Sequence, residues 1–216
     1  LKTWMELKYQ YLTKMTDLKL DLHGLRHHEV PLKVENFLYL NQENMPILII
    51  CGNSQKMISI VEGVLEIIDC TFDISSSLKT RIEEIRDECE TAVRQGSSTL
   101  ILSDKEITGK KASIPSVLVV GAVHSHLVKQ GLRGYCSLNV ECSDVLDTHS
   151  FAVLIGVGAT TINPYLAIDS ICQRYEKKLF GQFSFDECVQ RYIDSVNAGL
   201  LKIMSKMGIS VLSSYR

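Results

Sequence analysis

The sequence lacks the long apolar runs and the leader segment that are typical of membrane and secreted proteins. Its longest apolar stretches, such as residues 117–123, are far shorter than the roughly 20 residues that a membrane-spanning helix needs. The first ten residues, LKTWMELKYQ, mix charged and aromatic side chains and predict no secretory leader. We therefore expect a protein that has no membrane partner.

An excess of charge of either sign is also lacking. The chain has 23 Lys and Arg residues against 25 Asp and Glu residues, so its formal net charge is −2. Proteins that bind nucleic acid or anionic membranes through bulk charge carry a clear positive excess. This balance argues against both kinds of partner.

No CxxC pair occurs among the seven cysteines, which lie at positions 51, 70, 89, 136, 142, 172 and 188. Structural zinc and iron–sulfur sites normally use tighter spacing, so we predict no metal site and interpret these cysteines as small core residues. An odd number of cysteines without a leader also predicts reduced thiols and a cytoplasmic location.

The proportions of hydrophobic and charged residues are those of an ordinary globular protein. Of its 216 residues, 45% are hydrophobic and 22% are charged. A core of substantial size is expected at this length. The chain begins with Leu1 rather than methionine, and we expect it to be trimmed or truncated.

Alternating strand and helix patterns predict an α/β fold, with alternating β-α units and a largely parallel sheet in two segments. The first segment, residues 1–66, contains predicted helices at 3–17, 30–40 and up to about 66, and predicted strands at 18–24 and 47–51. After it come predicted strands at 67–72, 98–102 and 136–141, and predicted helices at 76–95, 115–131 and 184–204. Ser184 is a good N-cap for the last helix.

Two polar side chains, Asp21 and His23, end the first predicted strand and share one of its faces. A carboxylate beside an imidazole at the carboxyl end of a strand suits acid–base chemistry or metal binding. On residue chemistry alone, a polar strand end without chemistry is the favoured interpretation.

The residues around this pair resemble the Smr (small MutS-related) nuclease domain. That family carries an LDLHG strand end, matched at residues 20–24, and a TGxG-like loop, matched by CGNS at residues 51–54. Cys51 stands in place of Thr and Ser54 in place of the second Gly, and the closing strands of the domain are missing. The resemblance implies a truncated Smr-like segment. As an alternative function it implies nucleic-acid binding or endonuclease activity, with Asp21 and His23 as catalytic residues.

Two further patterns favour structure over chemistry. His124 and His126 fall in a predicted helix, where side chains two residues apart point about 200° away from each other and cannot chelate one ion. The Gly156-Val157-Gly158 sequence lacks the third glycine of a dinucleotide-binding loop, so a tight turn is favoured.

The C-terminal residues 200–216, LLKIMSKMGISVLSSYR, contain Lys202 and Lys206 one helical turn apart. Lysines in such a place could set a positive charge against an anionic flavin or a carboxylate. Taken alone, the pattern favours a helix end whose lysines interact with the helix dipole.

From residue 67 onward the chain resembles the large subunit of the glutamate synthase family. Five pieces match in order: IIDCTFD, LILSDKEI, ASIPSVLVVGAVHSHLVKQGLR, HSFAVLIGVGATTINPYLAIDSI and GLLKIMSKMGISVLSSYR. The resemblance implies that residues 67–180 belong to the family's central α/β domain. It also implies that residues 181–216 are the incomplete start of its FMN-binding domain.

The resemblance implies an enzyme of ammonia assimilation that converts glutamine and 2-oxoglutarate to two glutamates, with FMN and an iron–sulfur cluster. In the family, ammonia from a glutaminase site reaches the flavin site, where reduced FMN delivers hydride to an imine of 2-oxoglutarate. The central domain mainly connects the two sites. The implied partners are the remaining domains and an electron donor, either an NADPH subunit or ferredoxin.

Several site residues are implied by position. Met204, Ser205 and Lys206 would contact FMN, and Lys206 would be the catalytic residue that stabilises negative charge near the flavin and 2-oxoglutarate. Ser210 and Arg216 would hold the carboxylates of the keto acid, for which a guanidinium is well suited. Ser213 departs from the Gln usual in the family.

The family's N-terminal cysteine nucleophile, its clustered iron–sulfur cysteines and the rest of its flavin barrel have no counterpart in this sequence. We therefore expect a fragment that binds neither cofactor and makes no glutamate by itself. The alternatives are a Smr-like protein acting on nucleic acid, with residues 67–216 as a passenger, and a non-catalytic α/β scaffold.

Overall fold

The computed structural model describes residues 19–40, 48–50, 61 and 63–215. The helix predicted over residues 3–17 and the CGNS sequence at 51–54 lie outside these residues. The chain divides into two compact units, one formed by residues 1–66 with 96–98 and the other by residues 67–95 with 99–216. Each unit has a core of its own.

The first unit is built on a parallel pair of strands. Strands β1 (Lys19–Asp21) and β2 (Leu48–Ile50) pair with Lys19 opposite Leu48, and helix α1 (Val30–Leu40) lies between them in the chain. Parallel strands need such a crossover, as the sequence predicts. Side chains of α1 and β1 share a small core, whose buried members are Leu20, Leu22, Val30, Val34, Val61 and Val64.

A four-stranded sheet organises the rest of the chain. Its strands are β3 (Leu65–Asp69), β5 (Thr99–Ser103), β7 (Ser137–Glu141) and β8 (Thr161–Asn163), in that order across the sheet. β7 runs parallel to both β5 and β8. Two further strands, β4 (Thr71–Asp73) and β6 (Lys111–Ser113), form a separate antiparallel pair. The α/β class with a parallel sheet is confirmed.

Five helices of the second unit alternate with these strands or follow them. They are α2 (Leu78–Arg94), α3 (Ser116–Lys129), α4 (Thr148–Val157), α5 (Tyr165–Glu176) and α6 (Phe185–Met207), with 3-10 turns at Arg133–Tyr135 and Leu212–Tyr215. Ser184 caps α6 as predicted, through a reciprocal capping box with Glu187. Gly208, at φ +71°, ends this helix in the left-handed conformation.

The core of the second unit lies between the sheet and its helices. Strand residues Leu100 and Leu138 are fully buried, as are Ile85 of α2 and Val120 of α3. The six described cysteines are buried, and four of them belong to this core: Cys70, Cys89, Cys136 and Cys142. Among the described residues, no helix is both long enough and apolar enough to cross a bilayer.

One of the two histidines of α3, His126, is a packing residue. His126 is buried, and its Nε2 lies 2.6 Å from Glu90 Oε2 while its Nδ1 lies 3.0 Å from Arg86 Nη2. This contact joins α3 to α2. Both ring nitrogens of His126 face side chains of α2. This supports the interpretation of His126 as a packing residue.

Gly158 ends α4 at the turn that the sequence predicts, with φ +120°. Arg133 donates from Nε to His124 Nδ1 at 3.1 Å and from Nη2 to the Gly158 carbonyl at 2.9 Å. Its Nη1 also donates to the Cys136 carbonyl at 2.6 Å. One guanidinium therefore ties the end of α4 to helix α3 and to the start of β7.

Candidate functional site

The structure brings the predicted pair Asp21 and His23 into contact. His23 Nδ1 lies 2.6 Å from Asp21 Oδ1, and the His23 backbone N–H donates to the same oxygen at 2.9 Å. These hydrogen bonds lower the pKa of the Asp21 carboxyl. Both side chains are more than half exposed, and the described residues contain no group of three or more ligand side chains that could hold a metal. The geometry is that of a surface turn at a strand end.

The predicted flavin-site residues lie at the carboxyl end of α6. Ser205 and Lys206 are exposed in its last turn, whereas the Met204 side chain is buried at 7% exposure. Ser210 is exposed just beyond Gly208, and Arg216 lies outside the described residues. The structure therefore presents one ammonium group and two hydroxyls on an open surface. Apolar side chains nearby along the chain, including Leu201 and Met207, are also exposed.

A second polar cluster, which sequence reasoning missed, lies where β5 and β7 end. Ser103 Oγ donates to Glu141 Oε2 at 2.8 Å, and Lys105 Nζ forms an ion pair with Glu141 Oε1. Asn163 of β8 donates to the same Oε1 at 3.3 Å. The carboxyl ends of parallel strands are where open α/β sheets bind ligands. This cluster, here called the strand-end cluster, also includes Asp104.

Asp104 is the most deeply buried carboxylate of the cluster, at 5% exposure. Its Oδ2 accepts from the backbone N–H and the hydroxyl of Ser143, at 3.0 and 2.6 Å. The Asp104 backbone N–H donates to the Glu141 carbonyl at 3.2 Å. The Tyr165 side chain also hydrogen-bonds the Asp104 carboxyl, and Asp104 Oδ1 has no further partner among the described residues.

Burial raises the pKa of three groups that neighbour this cluster. Burial raises the pKa of the Cys142 thiol to about 12, with further contributions from Asp144 and Asp104. Burial likewise raises the pKa of Cys70 to about 12, where Asp69 and Asp104 add to it. Burial, then a side-chain hydrogen bond to Asp104 and the charge of that carboxylate, raise the pKa of Tyr165 to about 12. All three groups are therefore neutral at pH 7.

A small pocket of about 10 Å³ adjoins the cluster. Asp104, Glu141 and Ser116 line it together with the thiols Cys70 and Cys142, and the remaining wall is apolar: Leu102, Ile114, Val119 and Val140. Such a volume holds about one water-sized species and excludes a flavin or an amino acid. The sequence carries a signal for this site, because polar residues follow directly on two apolar strands. These polar residues come together only because β5 and β7 are neighbours in the sheet.

Comparison with known proteins identifies relatives for most of the chain. The family described as glutamate synthase central domain matches residues 31–216. The large chain of the NADPH glutamate synthase of Azospirillum brasilense is 49% identical over 152 residues, which cover 69% of this chain and 10% of that protein. The corresponding large chain of Bacillus subtilis is 42% identical over 142 residues, covering 66% and 9%.

A chloroplastic ferredoxin-dependent glutamate synthase of Spinacia oleracea is 40% identical over 153 residues, covering 66% of this chain and 9% of that protein. The chain thus spans about a tenth of the length of the curated relatives it matches. Among solved structures, a mutant flavocytochrome b2 with benzoylformate covers 92% of this chain and 51% of its own, at a TM-score of 0.49 and 14% identity. That likeness is too low to carry an argument.

These comparisons give no support to the Smr resemblance. The family match begins at residue 31, inside the segment to which that resemblance was assigned. Within the described residues, the Asp21–His23 contact is exposed and belongs to no group of three or more ligand side chains, so it does not favour a nuclease site.

Proposed function

The chain belongs to the glutamate synthase central-domain family, and on that premise we propose that it is the connecting segment of a glutamate synthase large chain, continued by the first residues of an FMN-binding domain. The family match over residues 31–216 carries the assignment to the central segment. The FMN-binding start at residues 181–216 rests on the resemblance of GLLKIMSKMGISVLSSYR alone. The closed core of the second unit supports the central-segment assignment, because a segment that joins two reaction sites must hold its own shape.

The whole enzyme would convert glutamine and 2-oxoglutarate to two glutamates in ammonia assimilation, with FMN and an iron–sulfur cluster. Its electrons would come from an NADPH subunit or from ferredoxin, since the similar proteins bear the names of both donors. We assign the enzyme to the cytoplasm, because its six described cysteines are buried thiols, as is usual in a reducing compartment.

Lys206 would be the catalytic residue contributed by this chain. Lys206, Ser205 and Ser210 are all exposed and close in the chain, and an ammonium with hydroxyls suits one edge of an anionic cofactor or a carboxylate. When bound, FMN supplies hydride transfer, and the charge of Lys206 would stabilise negative charge beside it. Met204 would contribute through its backbone because its side chain is buried. Arg216 would hold a carboxylate of the keto acid.

By itself the chain would bind neither FMN nor a cluster and would form no glutamate. Its candidate flavin residues lie on an open helix end, and the pocket at the strand-end cluster is far too small for a flavin. The test is to purify the chain, measure its flavin absorbance, titrate it with FMN and assay glutamate formation. We expect no stoichiometric flavin and no product. Copurification with FMN at full occupancy would overturn this part of the proposal.

The role of Lys206 can be tested in a chimera in which residues 67–216 replace the corresponding segment of the Azospirillum brasilense large chain. Lys206→Ala should lower the rate of glutamate formation by about 10²–10³-fold, as expected for loss of a charge that acts on the transition state. Lys202→Ala is the matched control, because Lys202 lies one turn earlier and is also exposed. Equal rates in the two variants would refute the assignment.

A further inference from the structure

Large apolar side chains are exposed around the strand-end cluster. Five of them form what is here called the carboxyl-edge patch, and each is between 42% and 53% exposed: Ile107, Val117, Leu118, Leu146 and Leu166. Single exposed apolar residues are ordinary on a protein surface, whereas a group of them at one place marks an interaction site. None of the five belongs to the residues proposed to contact FMN or the keto acid.

The order of the strands brings three of these residues to one edge of the sheet. Ile107, Leu146 and Leu166 follow within a few residues of the carboxyl ends of β5, β7 and β8. Since β7 pairs in parallel with both β5 and β8, the three connections leave the sheet side by side, about 5 Å apart at the strand ends. Lys105 Nζ lies 5.5 Å from the centre of the Tyr165 ring, which ties the connection after β5 to the start of α5.

The first turn of α3 adds the other two residues, Val117 and Leu118. The Ser116 N–H donates to Asp144 Oδ2 at 2.9 Å, so this turn lies against the connection that follows β7. Val120 of the same helix is fully buried in the core, which α3 therefore fills without Val117 and Leu118. The patch thus surrounds the carboxyl ends of three neighbouring strands.

The charged groups at the centre of this edge are engaged within the chain. Glu141 pairs with Lys105 and accepts from the Ser103 hydroxyl, and Asp104 accepts from the Ser143 hydroxyl. The adjoining pocket of about 10 Å³ is too small for an organic ligand. Paired charges surrounded by exposed apolar side chains suit a protein surface that stays bound, because permanent interfaces are more apolar than transient ones.

We propose that the carboxyl-edge patch is the face through which this segment packs against the remainder of the same large chain. The inference rests on the proposed function, under which most of that chain lies outside these residues, since the match covers 10% of the Azospirillum brasilense large chain. A segment that connects two reaction sites is covered by its neighbours over part of its surface. Burial of exposed apolar side chains is the main favourable contribution to such a contact.

The test compares hydroxyl-radical labelling of the isolated chain with that of the chimera that carries residues 67–216 in the Azospirillum brasilense large chain. Labelling depends on contact with solvent, so the five residues of the patch should be labelled in the isolated chain and lose labelling several-fold in the chimera. Val128, which is 53% exposed in the last turn of α3, faces the opposite edge of the sheet and should keep its labelling. Equal labelling of the patch in the two proteins would overturn the proposal.

A second copy of this chain is the competing occupant of the patch. It would protect the patch in the isolated chain as the protein concentration rises, and that result would also overturn the proposal. A chimera that protects the patch but forms no glutamate would support this interface and contradict the proposed function of the whole enzyme alone.

Two variants locate the contact. Leu118→Glu and Leu166→Glu each place an acidic side chain in the first turn of a helix, where the helix dipole favours it, so the Tm of the isolated chain should not fall. In the chimera both should increase labelling of the patch and slow glutamate formation, because each would bury a charge in an apolar contact. Val128→Lys, which places a cation in the last turn of α3, is the matched control and should change neither. Unchanged labelling and rate in both Glu variants would show the proposal to be wrong.

Discussion

Replacing Gly158 with alanine tests how the second unit is held together. The backbone of Gly158 has φ +120°, a conformation that residues with a Cβ rarely adopt. A Cβ added there would lie 2.5 Å from two atoms of the His124 ring. The ring cannot move freely, because Arg133 donates to its Nδ1 and also binds the Gly158 carbonyl. The substitution must therefore break that contact or distort the end of α4.

The expected loss combines two costs. Forcing a residue with a Cβ into this conformation costs about 1–3 kcal/mol. Displacing His124 from Arg133 removes a hydrogen bond to a charged group, which is worth about 1.5–3 kcal/mol. We expect Gly158→Ala to lower the free energy of unfolding by about 3–5 kcal/mol, which in a chain of this size corresponds to a fall in Tm of roughly 10 °C.

The assay is urea denaturation followed by circular dichroism, with Gly156→Ala as the matched control. Gly156 lies two residues earlier in α4, and a Cβ there would meet nothing within 4 Å. Alanine at that position should be neutral or stabilise the helix by up to about 1 kcal/mol. If the two variants lost stability equally, or if Gly158→Ala lost less than about 1 kcal/mol, the proposed packing of the α4 end would be wrong.

Three further outcomes are expected. Gly199→Ala should lower the free energy of unfolding by about 1–3 kcal/mol, because its Cβ would lie 2.6 Å from the Thr148 side chain. Adding Thr148→Ala to the same chain should recover most of that free energy, as measured by urea denaturation. Hydrogen bonds from Ser150 lower the pKa of the N-cap Asp147 below its ordinary 3.8. The ionised carboxyl therefore stabilises the fold above about pH 4, and this stabilisation is lost as the pH falls through the lowered pKa. Asp147→Asn should make the Tm less dependent on pH in that acidic range. His126→Leu should cost about 1–3 kcal/mol in thermal or urea denaturation, because it removes the buried ring that contacts Arg86 and Glu90 of α2, and no loss would contradict the contact described above.

Periodicity and capping residues predicted most elements of the fold. The helix expected at residues 30–40 is α1, and Ser184 begins α6 as its side chain indicates. The strand expected at residues 67–72 is in fact two strands, β3 and β4, that belong to different sheets. The two strands are adjacent in the chain and both are short, so apolar content alone does not separate them.

The site was harder to predict because it depends on which strands are neighbours. Ser103 lies opposite Glu141 only because β5 and β7 pair in that register, and the two residues are far apart in the chain. At the carboxyl end of α6, too, the sequence does not show how the side chains pack. The resemblance named Met204, Ser205 and Lys206 as one set, and only the packing of the helix shows that the Met204 side chain is buried while the other two are exposed.

The rate of glutamate formation by the chimera with the Azospirillum brasilense large chain tests the central claim most directly. If this chain is a glutamate synthase central segment, the chimera should bind FMN and form glutamate from glutamine and 2-oxoglutarate. Its rate should lie within about tenfold of the parent enzyme, a barrier change of no more than about 1.4 kcal/mol. A folded chimera that lacked FMN, or that bound FMN and formed no glutamate, would contradict the claim.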